Sequence, residues 1–153
     1  MDRTRRVINE LLVDVYNDIL NTEVRALRSG NFHDVSIKEV HTVEAIGLHR
    51  EDSMGEIAKR LEITVGTLTV AVNRLVKKGY VERVRSDQDR RVVRLRLTNR
   101  GRVLYRVHEQ FHMQLVNDCI GDLTEDEGRV LRSALQKIND FFRKNYRGQE
   151  GEA

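Results

Sequence analysis

His108 and His112 stand four residues apart in "HEQFH". On a helix that spacing turns both imidazoles to one side, as a shared metal ion requires. Glu109 between them completes the H-E-x-x-H pattern in which a glutamate serves zinc as general base. A hydrolase is nevertheless a poor reading. No H-x-x-G-x-x-H continuation follows, and 153 residues leave no room for a catalytic domain around this helix. A metal held for structure or signalling stays open. The second chemical feature is "RSDQDRRVVRLRLTNRG", residues 85–101, with six arginines in seventeen positions and the acids Asp87 and Asp89 among them. Residues 77–102 carry a net charge of +7 and the rest of the chain −4. A basic segment in a slightly acidic body is the electrostatic footprint of a nucleic-acid binder.

Composition narrows the classes further. The chain is 39% hydrophobic and 33% charged, with no Pro and no Trp. Absence of Pro together with long periodic runs predicts a mainly α protein. No stretch approaches the roughly 18 apolar residues that span a bilayer, and "MDRTRRVINE" has no signal-peptide core, so a cytoplasmic protein is expected. The single cysteine, Cys119, excludes an intrachain disulfide, and its place on the apolar side of a helical run predicts a small buried filler.

Eight elements must position these residues. Apolar residues from Val7 to Leu27 recur at helical spacing and predict a helix, α1, over residues 6–28. Ser36 with Glu39 and Ser53 with Glu56 are capping-box pairs that open α2, reaching about residue 48, and α3, ending near Leu61. Thr64 caps α4, "VGTLTVAVNRLVKK", which Gly79 stops. Two short helices joined by a tight turn read as a helix-turn-helix. "YVERV" and "VVRLRL" around the polar "RSDQDRR" make a β-hairpin. Val93, Leu95 and Leu97 point to the core, while Arg94 and Arg96 form a positive row outside. Thr98 caps a long α5 over residues 99–119, and Thr124 with Glu127 opens α6. The expected division is a dimerisation helix at 1–35, a DNA-binding lobe at 36–98, dimerisation helices at 99–146 and a disordered tail at 147–153. The apolar faces of the long helices exceed what one chain of this size can cover, so a homodimer is expected.

Helix-turn-helix followed by a basic hairpin is a winged helix. The order α1-α2-α3-α4-β-β-α5-α6, and "ITVGTLTVAVNRLVKKGYVERVRSDQDRRVVRLRLTNRG" at 63–101 in particular, resembles the MarR family of bacterial transcription regulators. The recognition helix, the "KKGY" turn, the D-x-R of the wing and the "LTxxG" after it stand in register. The fold class implied is mainly α: a winged helix-turn-helix with a helical dimerisation region. Thr64, Thr67, Thr69, Asn73 and Arg74 on α4 are the residues to set on base edges in the major groove of double-stranded DNA. Leu68, Val72 and Leu75 hold that helix to the core. The resemblance places Arg91 in the minor groove with Asp89 fixing its guanidinium, and Ser53, Lys77, Arg85 and Arg90 are assigned to phosphates. A dimer reading a pseudo-palindromic operator, with no enzymatic activity, is the function implied.

Two resemblances within the family bear on its signal. "FHDVSIKEVHTVEAIG" and "ERVRSDQDRRVVRLRLTNRGR" are similar to the fatty-acid-biosynthesis repressors of Gram-positive bacteria. Those take acyl chains on acyl carrier protein as corepressor. That resemblance implies an apolar tunnel among α1, α2 and α5, assigned here to Ile37, Val40, Ile46, Phe111 and Leu115, and a basic surface for the acidic carrier. The zinc-responsive members of the family use a histidine pair like His108 and His112 and complete it from α2 and α1, where His41 and Glu23 stand at matching places. Zinc on Glu23, His41, His108 and His112 is the alternative implied. Cys119 lies away from any second, thiolate-containing site. His33 and His49 fall in loops and carry no assignment.

Overall fold

A computed structural model describes residues 2–85 and 91–145. The elements are α1 (Arg3–Ser29), α2 (Ile37–Ile46), α3 (Met54–Leu61), α4 (Val65–Lys77), β1 (Val81–Arg85), β2 (Val93–Leu97), α5 (Asn99–Ile120) and α6 (Glu125–Asn145). Their order is the one expected. The chain divides into two compact units, Met1–Phe111 and His112–Ala153. The expected segment boundaries at 35 and 98 fall in connections between elements.

Local chemistry explains where the helices begin and end. The Ser36 hydroxyl accepts from the Glu39 amide while the Glu39 carboxylate accepts from the Ser36 amide, and Ser53 with Glu56 repeats the exchange. Thr124 and Glu127 do the same ahead of α6. Each box satisfies two donors that a helix N-terminus leaves without a partner. α2 ends at Ile46, two residues before the expected boundary, because Gly47 turns at φ 76°. Gly79, at φ 78°, stops α4 with two returning bonds, from its own amide to the Val76 carbonyl and from Tyr80 to the Leu75 carbonyl. Only a residue without Cβ takes that left-handed position cheaply.

The first unit holds the core. Val40, Val43 and Ile46 of α2, Ile57 of α3, Leu68, Val72 and Leu75 of α4, Leu95 and Leu97 of β2, and Leu104 of α5 are all buried, with Tyr80 among them. The hairpin is antiparallel, running from Val81 opposite Leu97 to Arg85 opposite Val93. Asp52 and Ser53 lie along the other side of β2, where the Leu95 amide donates to the Asp52 carbonyl. The positive row expected on β2 is corrected by its partners. Arg94 donates to the Glu51 carbonyl, and Arg96 is paired with Glu82 across the hairpin at 2.8 Å and with Glu51 at 3.6 Å. The arginines do stand outside the core, but their charge and donors are engaged within the lobe.

In the second unit no described side chain is buried. Cys119, expected as a buried filler, is exposed, because the turns of α5 beyond Phe111 have no core of their own in a single chain. Val130, Leu131, Leu135, Phe141 and Phe142 of α6 are exposed as well. In the first unit α1 exposes Val7, Ile8, Leu11, Leu12 and Val15. Among the described residues no helix is long and apolar enough to cross a membrane.

One glycine is fixed by close approach. A Cβ at Gly101, in the first turn of α5, would collide with the Tyr80 carbonyl oxygen and stand 3.3 Å from the Leu97 Cβ. Backbone cannot yield as a flexible side chain does, so Gly101→Ala should destabilise the protein by about 1–3 kcal/mol, as overpacking does. Urea unfolding of the variant against the parent checks this. An unchanged midpoint would show that α5 can shift away from Tyr80.

Candidate functional site

The described DNA-binding candidates all belong to the first unit. Thr64 is the N-cap of α4: its hydroxyl oxygen accepts from the Thr67 amide at 3.1 Å and lies 2.9 Å from the Thr67 hydroxyl. Leu68, Val72 and Leu75 turn inward, which leaves Thr67, Asn73, Arg74 and Lys77 exposed and Thr69 half-exposed on the opposite side of the helix. The Thr69 hydroxyl donates to the Val65 carbonyl. An oxygen with its proton so engaged still offers lone pairs to base amino groups. Arg85 ends β1 and Arg91 leaves the wing, both exposed. Asp87, Asp89 and Arg90 lie outside the described residues, as does the tail at 147–153.

Ser53 is committed elsewhere. Its hydroxyl donates to the Glu56 carboxylate at 2.8 Å, and its amide bonds the same oxygen at 2.7 Å. Those bonds from Ser53 hold the Glu56 carboxyl below the ordinary carboxylate range. The N-terminus of α3 therefore already carries an anion, and a phosphate there would have to displace it.

Several cations of the basic segment support the lobe and not its surface charge. Lys78 bonds both oxygens of Glu39 at 2.8 and 2.9 Å. Arg100 pairs with Asp34 at 3.1 Å and lies over the Tyr80 ring, 4.3 Å from its centroid. Arg83 donates to the Asn73 side-chain oxygen at 2.6 Å. Sequence spacing showed the cations but not these partners, which lie 10 to 66 residues away.

A second cluster sits where α1, α2 and α5 meet within the first unit. His108 is buried and held at both ring nitrogens: Nδ1 lies 2.7 Å from Glu44 of α2, and Nε2 lies 3.0 Å from Glu23 of α1. Glu23 is itself buried, and His41 Nε2 lies 3.8 Å from the same Glu23 oxygen. Burial disfavours the His108 imidazolium, but the bonds and charges of Glu44 and Glu23 outweigh it and raise the value above its ordinary 6.5. Two carboxylates flanking an imidazole favour its protonated form.

The donor set also suits a cation. Ligand atoms of Glu23, His41 and His108 lie within 4.8 Å of one another. Glu44 on Nδ1 leaves His108 Nε2 for a metal, which is how carboxylates commonly orient metal-binding histidines. Glu44 carries no sequence motif of its own, although it stands one helical turn after His41. His112 belongs to the second unit.

Beside this cluster a cavity of about 260 Å³ is lined by Ala26, Leu27, Phe32, Val107 and Phe111 with Glu23 and His108. Of the five residues expected to line an effector tunnel, Phe111 is here. Ile37 lies instead at a groove with Val24, Arg28 and Lys38. Val40 and Ile46 have no accessible surface and belong to the core, because the α2 face they occupy is packed against α3 and α4. Leu115 is half-buried in the second unit.

A profile of the MarR family matches residues 33–92. The regulator SarZ of Staphylococcus saprophyticus, described as an HTH-type transcriptional regulator, is 31% identical over 102 residues, covering 66% of this chain and 68% of its own. The multiple antibiotic resistance protein MarR of Escherichia coli is 34% identical over 84 residues, covering 54% and 58%. Among solved structures, Streptococcus pneumoniae FabT in complex with DNA superposes with a TM-score of 0.87 at 41% identity, covering 92% of this chain and 98% of that one.

The raised His108 value has a consequence for stability. A group whose folded value lies above its unfolded one contributes stability in full below the unfolded value, and loses it as pH rises through the folded one. Parent and His108→Gln should therefore differ more in melting temperature at pH 6 than at pH 9. An equal difference at both would show that the imidazolium contributes nothing beyond its packing.

Proposed function

This chain belongs to the MarR family of winged helix-turn-helix transcriptional regulators, and we propose that it is a homodimeric repressor of fatty-acid-biosynthesis genes. Its control is assigned to acyl chains presented on acyl carrier protein. The observation that carries the reading is the likeness to the FabT–DNA complex over nearly the whole of both chains, at an identity well above the 19% shared with the DNA complex of Staphylococcus aureus MepR. Family members are DNA-binding regulators, not enzymes, so Glu109 has no general-base role.

In this reading α4 enters the major groove with Thr64, Thr67, Thr69, Asn73 and Arg74, Arg91 enters the minor groove, and Lys77 and Arg85 meet phosphates. The exposed apolar residues of α1 and α6 are the surfaces a second copy covers. The apolar cavity beside His108 is the place for part of an acyl chain, with Phe111, Leu27 and Val107 as its walls. α2 carries Glu44 at one side and packs on the recognition helix at the other, so a ligand that moves α2 moves the reading head.

A second reading rests on the Glu23–His41–His108 cluster: zinc held there as the signal or as a structural brace. The ion would tie α1, α2 and α5 together in place of the proton on His108. Proton and metal then compete, so zinc affinity, read by competition with a chelating dye, should rise from pH 6 to pH 8 and fall at least about tenfold in His108→Gln. Affinity indifferent to both would remove this reading.

For the principal reading, an operator is first selected from a randomised duplex library. Arg91→Ala should weaken its binding by more than about a hundredfold, since a dimer loses two arms worth about 1–3 kcal/mol each, while fold and dimer persist. Acyl chains on acyl carrier protein, added to the same gel-shift assay, should change the affinity. Full retention by Arg91→Ala defeats the minor-groove assignment. Indifference to the acyl carrier together with a response to zinc transfers the signal to the second reading.

A further inference from the structure

Asn73 is the only carboxamide on the exposed face of the recognition helix, and its orientation is set from outside that helix. Arg83 stands on β1 opposite Leu95, which has no accessible surface, so Arg83 shares the core-side face of the hairpin. Two residues along β1 from the buried Val81, the arginine is exposed, on a strand that contacts α4. There its Nη2 donates to Asn73 Oδ1 at 2.6 Å. A guanidinium carries five donors and no acceptor, so the carboxamide has one choice: its oxygen faces Arg83.

That choice has a consequence for base reading. A free asparagine reads adenine with both ends at once, accepting from N6 and donating to N7. Here the accepting end is occupied by a cation whose bulk and positive charge oppose an incoming amino group. What the side chain still offers in full is Nδ2, two N–H donors. In the major groove the acceptors are guanine O6 and N7, thymine O4 and adenine N7. Adenine's N7 stands beside the N6 amino group, whose proton the Arg83-bound oxygen is not placed to receive, whereas guanine and thymine set no such donor beside their acceptors.

We infer that Arg83 is a positioning residue for sequence recognition: by holding Oδ1 of Asn73 it makes the recognition helix favour guanine or thymine over adenine at one base pair of each half-site. The inference rests on the reading that α4 enters the major groove and that Asn73 reaches a base. Arg83 contributes orientation and need not touch DNA. This separates it from Lys77 and Arg85, whose proposed contacts with phosphate carry no sequence information.

The test is base preference, measured with the full-length protein by selection from a randomised duplex library and then with duplexes that differ at one base pair. Asn73→Ala locates the position, because preference should flatten there alone. At that position Arg83→Met, which keeps length and loses every donor, should move preference toward adenine by at least about fivefold relative to the parent. Arg83→Lys, which keeps a donor, should retain the parental preference. Asn73→Asp supplies an independent variant, since it keeps the bond to Arg83 and has no donor for bases. It should lose the preference for guanine or thymine without gaining the bidentate adenine reading.

Uniform weakening by Arg83→Met on all sequences, with a salt slope smaller by about one and preference unchanged, overturns the inference and makes Arg83 a phosphate contact. A parental preference for adenine at the Asn73 position overturns it too. If Asn73→Ala alters preference nowhere while the protein still selects one operator, the underlying base-reading assignment has failed, and the inference falls with it.

Discussion

Tyr80 has no accessible surface, and most of the DNA-binding lobe is tied to it. A phenol buried in a core must find a partner for its hydroxyl, because an unsatisfied one is costly. Asp34, from the turn between α1 and α2, accepts that hydrogen bond at 2.6 Å. Burial and then Asp34 push the Tyr80 hydroxyl up to about 12, so it stays a donor. Burial opposes the Asp34 charge, yet Tyr80 and Arg100 overcome it and hold the carboxyl below the usual range. The tyrosine backbone closes the remaining joints. Its amide ends α4 on Leu75, and its carbonyl accepts from Thr98 at the end of β2. Gly101 is glycine because α5 must begin against that same carbonyl. One residue therefore sets recognition helix, hairpin and α5 relative to each other, and the "KKGY" and "LTxxG" motifs are two halves of one joint.

The basic segment takes a different meaning from this frame. A tally of charge reads residues 77–102 as a surface for DNA. Inside the folded lobe Lys78, Arg83, Arg94, Arg96 and Arg100 each hold a carboxylate, a carbonyl or a carboxamide. Arginine suits such posts, since its fork orients two partners at once and never loses its charge. Among the described residues Arg74, Lys77, Arg85 and Arg91 are exposed on α4 and the hairpin, and these are the cations that the proposed reading sets on DNA.

What was legible in the sequence was local. Capping boxes act over three residues, glycine stops over two, and strand alternation over one, so Ser36, Ser53, Gly79 and the inward Leu95 and Leu97 could be read directly. Arg83 on Asn73 and Glu44 on His108 are pairs brought together by the fold, 10 and 64 residues apart, and no periodicity marks them. Val40 and Ile46 illustrate the converse. Their helical spacing is equally that of a core face and of a cavity wall, and only packing against α3 and α4 decides between them. Cys119 was assigned by the same periodicity, which reports an apolar face but not whether anything within one chain covers it.

The histidine cluster and the recognition helix meet through α2. Glu44 and His41, three residues apart, face α1 and α5, where Glu23 and His108 complete the polar cluster. Glu39, a turn earlier, holds Lys78 at the end of α4. Val40, Val43 and Ile46 of the same helix have no accessible surface, and the helix packs on α3 and α4. A close-packed helix answers a push at one end as a rigid body, because its core contacts leave no slack to absorb it. On the proposed reading, an occupant beside His108 acts through α2 on Lys78 and the C-terminal end of α4. Only an occupant that binds one position of α2 more tightly than another can use such a route, because a ligand shifts an equilibrium by no more than its differential affinity.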